Sequence, residues 1–134
     1  MKAHMFQIGM ATVLIIGLLA CSTPQLTVES ISTGDAGKTI NVATGGELTV
    51  TLESNITTGY SWTENASMSQ SGVLQQTGHQ YQPPAQQIPG RGGQEVWTFK
   101  ALAAGTTTVS MEYKRPFEPN NPPANTFNIT VMVK

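Results

Sequence analysis

From Leu48 onward, apolar residues recur at every second position in four separate stretches, and that period constrains the fold more than any other feature. Leu48, Val50 and Leu52 alternate with Thr49, Thr51 and Glu53, and Trp97, Phe99 and Ala101 with Thr98 and Lys100. Val109, Met111 and Tyr113 alternate with Ser110 and Glu112, and Phe127, Ile129, Val131 and Val133 close the chain. An extended strand turns successive side chains to opposite faces, so each stretch presents one face to a core and one to water. Shorter candidates lie at 26–31, 38–42, 60–64 and 73–81, and turn signals separate them: Gly34-Asp35, Gly45-Gly46, Pro83-Pro84, Gly90 to Gly93, Gly105 and Pro122-Pro123. No helical period is sustained after the N-terminal run, and no repeat occurs. The pattern predicts an all-β domain, an antiparallel sandwich of seven to eight strands.

The N-terminus reads differently. Lys2 precedes an apolar run from Met5 to Leu19, too short for a convincing membrane span, which ends Leu18-Leu19-Ala20-Cys21. A basic start, an apolar middle and a small residue before the cut describe a secretory signal. With cysteine directly after the small residue, the segment resembles a bacterial lipoprotein signal. Residues 1–20 are then removed, Cys21 carries lipid, and 21–25 tether the membrane to a domain spanning 26–134. Cys21 is the chain's single cysteine, so it has no internal disulfide partner, and lipid gives that odd thiol a role. Ser22 stands where inner-membrane retention signals often carry aspartate. The expected location is therefore the outer membrane, facing the periplasm or the cell surface.

The composition narrows the function. A net charge of −1, with 11% charged residues and no basic stripe, argues against nucleic acid. Beyond the signal the chain holds one histidine, His79, and one aspartate, Asp35. No serine sits in a nucleophile's turn, and the ligand inventory falls short of a zinc site. His79 lies in a strand-like run and is expected to face solvent. No enzyme activity, cofactor or metal is expected, and function is assigned to a surface.

Three segments are left once core and turn duties are met: Asn55-Ile56-Thr57-Thr58-Gly59-Tyr60-Ser61-Trp62, Gly90-Arg91-Gly92-Gly93 and Arg115-Pro116-Phe117. Each alone is commonplace. Together and in this order they resemble the chagasin-type inhibitors of papain-like cysteine peptidases, whose pattern is Asn-Pro-Thr-Thr-Gly-Tyr with a nearby Trp, then Gly-x-Gly-Gly, then Arg-Pro-Trp. The likeness runs from about residue 26 to the C-terminus. Ile56 replaces the family's proline and removes some built-in rigidity. Phe117 replaces its tryptophan, keeping an aromatic face but losing area and the indole N–H.

The resemblance implies an immunoglobulin-like sandwich with the three loops side by side at one end. It also implies a monomeric, reversible, non-covalent inhibitor whose partner is a papain-like peptidase. Asn55, Thr57, Thr58, Gly59 and Tyr60 would form a central wedge, narrow at its tip and aromatic at its root. Gly90, Arg91, Gly92 and Gly93 would offer bare backbone to the enzyme's substrate-binding strand. Arg115, Pro116 and Phe117 would anchor the opposite wall. The competing reading is an immunoglobulin-like envelope lipoprotein that binds another protein or a carbohydrate, which has no need of all three motifs in this order.

Overall fold

The computed structural model describes residues 27–134, which form nine strands and two short 3-10 turns. The signal segment, Cys21 and the tether lie outside the described residues. The strands are β1 (Val28–Ser32), β2 (Thr39–Val42), β3 (Glu47–Ser54), β4 (Ser61–Trp62), β5 (Ser67–Met68), β6 (Leu74–Gln82), β7 (Gly93–Ala101), β8 (Gly105–Lys114) and β9 (Asn125–Val133). They build two sheets, one ordered β1-β3-β7-β6 and one ordered β2-β9-β8-β4, with β5 also paired to β8. Every long alternating stretch of the sequence is a strand.

The core lies between the sheets and uses the residues the period selected. Leu48, Val50, Leu52, Trp97 and Phe99 from one sheet meet Val109, Met111, Phe127, Ile129 and Val131 from the other, all fully buried. Each such side chain contributes roughly 1.5–3 kcal/mol on leaving water.

The central pairings β3–β7, β6–β7 and β8–β9 are antiparallel, as expected, while the edges add two parallel pairs. β1 runs parallel to β3, and β2 runs parallel to β9. One extended stretch, broken at a turn over Thr33–Asp35, leaves the rim of the first sheet and joins the second, so both edge strands come from a single pass of the chain.

His79 departs from expectation. The register of β6 against β7 shifts between Gln76 and Gly78, so Thr77 is an extra residue. A bulge of one residue reverses the facing of everything beyond it. His79 is thereby turned inward opposite Trp97, their ring centroids 4.9 Å apart, and is not a solvent-facing histidine.

Candidate functional site

All three motif segments lie at one end of the sandwich, and each is fixed by a strand it extends. The first follows β3. Asn55 leads a 3-10 turn over Ile56–Thr58, closed by hydrogen bonds from the Thr58 N–H to the Asn55 carbonyl (3.2 Å) and from the Gly59 N–H to the Ile56 carbonyl (3.1 Å). Gly59 then reverses the chain at φ +79, a left-handed conformation that favours glycine. The Thr57 hydroxyl donates to Asn55 Oδ1, and the Thr58 hydroxyl to the Asn55 carbonyl at 2.6 Å. Both threonine protons are thus spent holding the turn, leaving hydroxyl oxygens to accept from a partner.

The loop's root is aromatic. Tyr60 stacks on Tyr113 at 5.5 Å, Trp62 packs against the other side of that cluster at 5.1 Å from Tyr113, and the Tyr113 hydroxyl accepts from the Asn55 N–H at 3.0 Å. Trp62 is buried and its indole N–H donates to the Glu53 carbonyl at 2.9 Å.

The second segment is tied to the first. Asn55 Nδ2 donates to the Gly90 carbonyl at 3.1 Å, and Gly92 sits against Ser54 and Asn55. Gly93 is already in β7, opposite Ser54, and a methyl group there would collide with the Gln82 carbonyl. Its lack of a side chain is needed inside the domain, between the β6 and β7 strands. Gly90 and Arg91 form the outward part of this loop, with the Arg91 guanidinium 3.1 Å from Gln86 Oε1.

The third segment closes over the first from the other side. A methyl group on Gly59 would approach Phe117 Cζ to 3.1 Å, so the bare glycine is the seat of the Phe117 ring. That ring nonetheless remains 69% exposed. Arg115 lies back on the domain, its guanidinium 4.6 Å from the centroid of Tyr60 and 3.5 Å from Glu118. Its Nε is buried with no hydrogen-bond partner within the protein. Pro116 is exposed beside it.

Two residues outside the motifs belong to the same loops. Ile56 is 47% exposed and Ile88, in the loop ahead of Gly90, is 51% exposed. With Phe117 they place one exposed apolar side chain on each of the three loops. Ile88 went unnoticed in the sequence because a lone isoleucine between prolines and glutamines has no periodicity to mark it. A cleft of about 710 Å³ opens beside the loop bases, lined by Asn55, Trp62, Pro83, Gly93 and Tyr113 among others.

No group of three His, Cys, Asp or Glu side chains that could hold a metal occurs among the described residues. His79 does not face a nucleophile: its Nε2 and the Ser54 hydroxyl both meet the Glu95 carboxyl, not each other.

A sandwich whose end carries three mutually braced loops with exposed side chains belongs to the class of loop-presenting β-scaffolds. Comparison with known proteins narrows that class. The model of the chagasin family of peptidase inhibitors matches residues 41–131. Chagasin of Trypanosoma cruzi is 32% identical over 100 residues, covering 73% of this chain and 89% of its own. Amoebiasin-1 of Entamoeba histolytica is 30% identical over 107 residues, covering 78% and 99%. A solved cysteine protease inhibitor from Entamoeba histolytica shares the fold, with a TM-score of 0.69 at 20% identity over 84% of this chain and all of that one. The chain belongs to the chagasin family of peptidase inhibitors. It is an inhibitor of papain-like cysteine peptidases and not an enzyme.

Proposed function

We propose that the protein blocks its peptidase by filling the active-site cleft with the three-loop edge, reversibly and without a covalent bond. A papain-like cleft holds its thiol at the bottom of a narrow groove, so a plug must be thin at the tip and must not present a cleavable bond. Thr57, Thr58 and Gly59 supply the thin tip. Phe117 and Arg115 flank it on one side, and Gly90 and Arg91 on the other. The observation that carries this reading is the bracing: Asn55 binds Gly90 and Gly59 seats Phe117, so the tip and both walls form one unit before any partner arrives. Loops already ordered lose little entropy on docking.

The edge is held at a membrane through lipid on Cys21, in the cell envelope and most simply at the outer membrane. The support is Leu18-Leu19-Ala20-Cys21 after an apolar run in a chain with no second cysteine. Both parts are testable. Inhibition should be competitive, should be relieved on dilution, and should return the inhibitor uncleaved by mass. Labelled palmitate should enter the wild type in a bacterial host and not Cys21→Ala. Time-dependent irreversible loss of the enzyme contradicts the mechanism, and equal labelling of both chains contradicts the anchor.

A further inference from the structure

Glu95 stands where the pattern of β7 calls for a core residue: counting back by twos from Phe99 and Trp97 reaches it. It is only 2% exposed. Burying a carboxyl is costly unless hydrogen bonds replace its water. Three groups do so. The Ser54 hydroxyl donates to Oε1 at 2.6 Å, the Trp62 backbone N–H donates to the same oxygen at 3.0 Å, and His79 Nε2 lies 2.8 Å from Oε2.

The positions of these partners matter more than their number. Ser54 is the last residue before the wedge loop, and Trp62 is where the chain re-enters the sandwich after it. One oxygen therefore holds both feet of the loop. Ser54, His79 and Glu95 belong to one sheet and Trp62 to the other, so the carboxyl also joins the two layers at the loop-bearing end. β7 itself begins at Gly93, two residues earlier and opposite Ser54, so the exit of the Gly90–Gly93 loop lies beside the first of these feet.

We infer that Glu95 is the positioning residue of the inhibitory edge: its buried carboxyl clamps the two feet of the Asn55–Gly59 wedge, with His79 steadying the second oxygen, without touching the peptidase. A hydrophobic residue at this position would bury as well but could not bind the Trp62 N–H or the Ser54 hydroxyl, so the loop's feet would lose their common anchor. This rests on the inhibitor reading above, and its first readout needs no peptidase.

The test compares Glu95→Ala, Glu95→Gln and Val131→Ala, the last a core truncation in β9 that serves as a control for stability alone. In the free protein, amide hydrogen exchange over residues 55–62 should speed up in Glu95→Ala and stay near wild type in Glu95→Gln, which keeps an acceptor and the side-chain shape. With papain, at a temperature where all variants are folded, Glu95→Ala should raise the inhibition constant about tenfold or more, equivalent to ~1.4 kcal/mol. Glu95→Gln should stay within about threefold, equivalent to ~0.6 kcal/mol. Val131→Ala should lower the melting temperature without changing inhibition by the folded molecules. If Glu95→Ala does not fold, Ser54→Ala removes one foot's bond and should give the same exchange change over the loop. Unchanged exchange over 55–62 in Glu95→Ala, or in Ser54→Ala where Glu95→Ala does not fold, overturns the clamp. So does equal weakening of inhibition by Val131→Ala. A wild type that inhibits no papain-like peptidase overturns the inhibitor reading instead, and the exchange result still decides the clamp.

Discussion

Phe117 is a large aromatic side chain left 69% exposed on a bare glycine, an arrangement that favours binding over stability. Phe117→Ala should therefore leave the melting temperature close to wild type, as surface changes usually stay within about 0.5 kcal/mol. It should weaken inhibition by ~2 kcal/mol or more, the level of an interface hot spot. That is a loss of about thirtyfold in affinity. Phe117→Trp restores the family's residue and should hold or tighten binding. A large fall in melting temperature with unchanged inhibition would instead make Phe117 a packing residue. Gly59 carries a linked prediction. Gly59→Ala must adopt a left-handed backbone, at about 1–3 kcal/mol of strain, and must push the Phe117 ring from its seat 3.1 Å away. In a double-mutant cycle on inhibition, Gly59→Ala and Phe117→Ala should couple by about 0.5–3 kcal/mol, as contacting residues do. Additivity would show that the two loops act separately.

At the scale of elements, the turn between β1 and β2 shows how the edge strands are held. The Asp35 carboxyl accepts the Ser32 backbone N–H at 2.9 Å and meets the Lys38 ammonium at 2.9 Å. The Ser32 hydrogen bond, then Lys38, hold its pKa below the ordinary carboxylate value. A depressed folded value stabilises above the unfolded value and is lost as pH falls through the folded one. Asp35→Asn should therefore lower the melting temperature at neutral pH, and the gap to wild type should close as acidification protonates the carboxyl in both states. A gap independent of pH would remove the carboxyl from the account.

The long strands were legible because period-two patterning dictates them: Trp97 and Phe99 had to face one way and Thr98 the other. β4 falls inside the candidate at 60–64, whereas the two-residue β5 is too short to carry a period and left no signal. His79 could not be oriented, because the one-residue bulge at Thr77 exists only in the pairing with β7. The motif loops were legible through resemblance, but not their bracing, since Asn55 and Gly90 meet only after β3 and β7 pair. Glu95 was hidden by its type: a glutamate reads as outward unless its phase is counted from Phe99.

For the whole molecule, the sandwich converts three sequence-distant loops into one preformed edge, and the lipid proposed on Cys21 would keep that edge at a membrane surface. The exposed side chains on the three loops, Ile56, Ile88 and Phe117, are apolar, which accords with the small charge inventory. Titrating papain with residues 24–134, as wild type and as Gly59→Glu, tests this most directly. The wild type should inhibit competitively and stoichiometrically and remain intact. Gly59→Glu, which drives a charged side chain into the Phe117 seat at the tip, should fold yet bind weaker by several kcal/mol, with overpacking costs of ~1–3 kcal/mol as the lower guide. Full papain activity in micromolar excess of wild type, repeated with other papain-like peptidases, would contradict the account, as would a folded Gly59→Glu that inhibits as well as wild type.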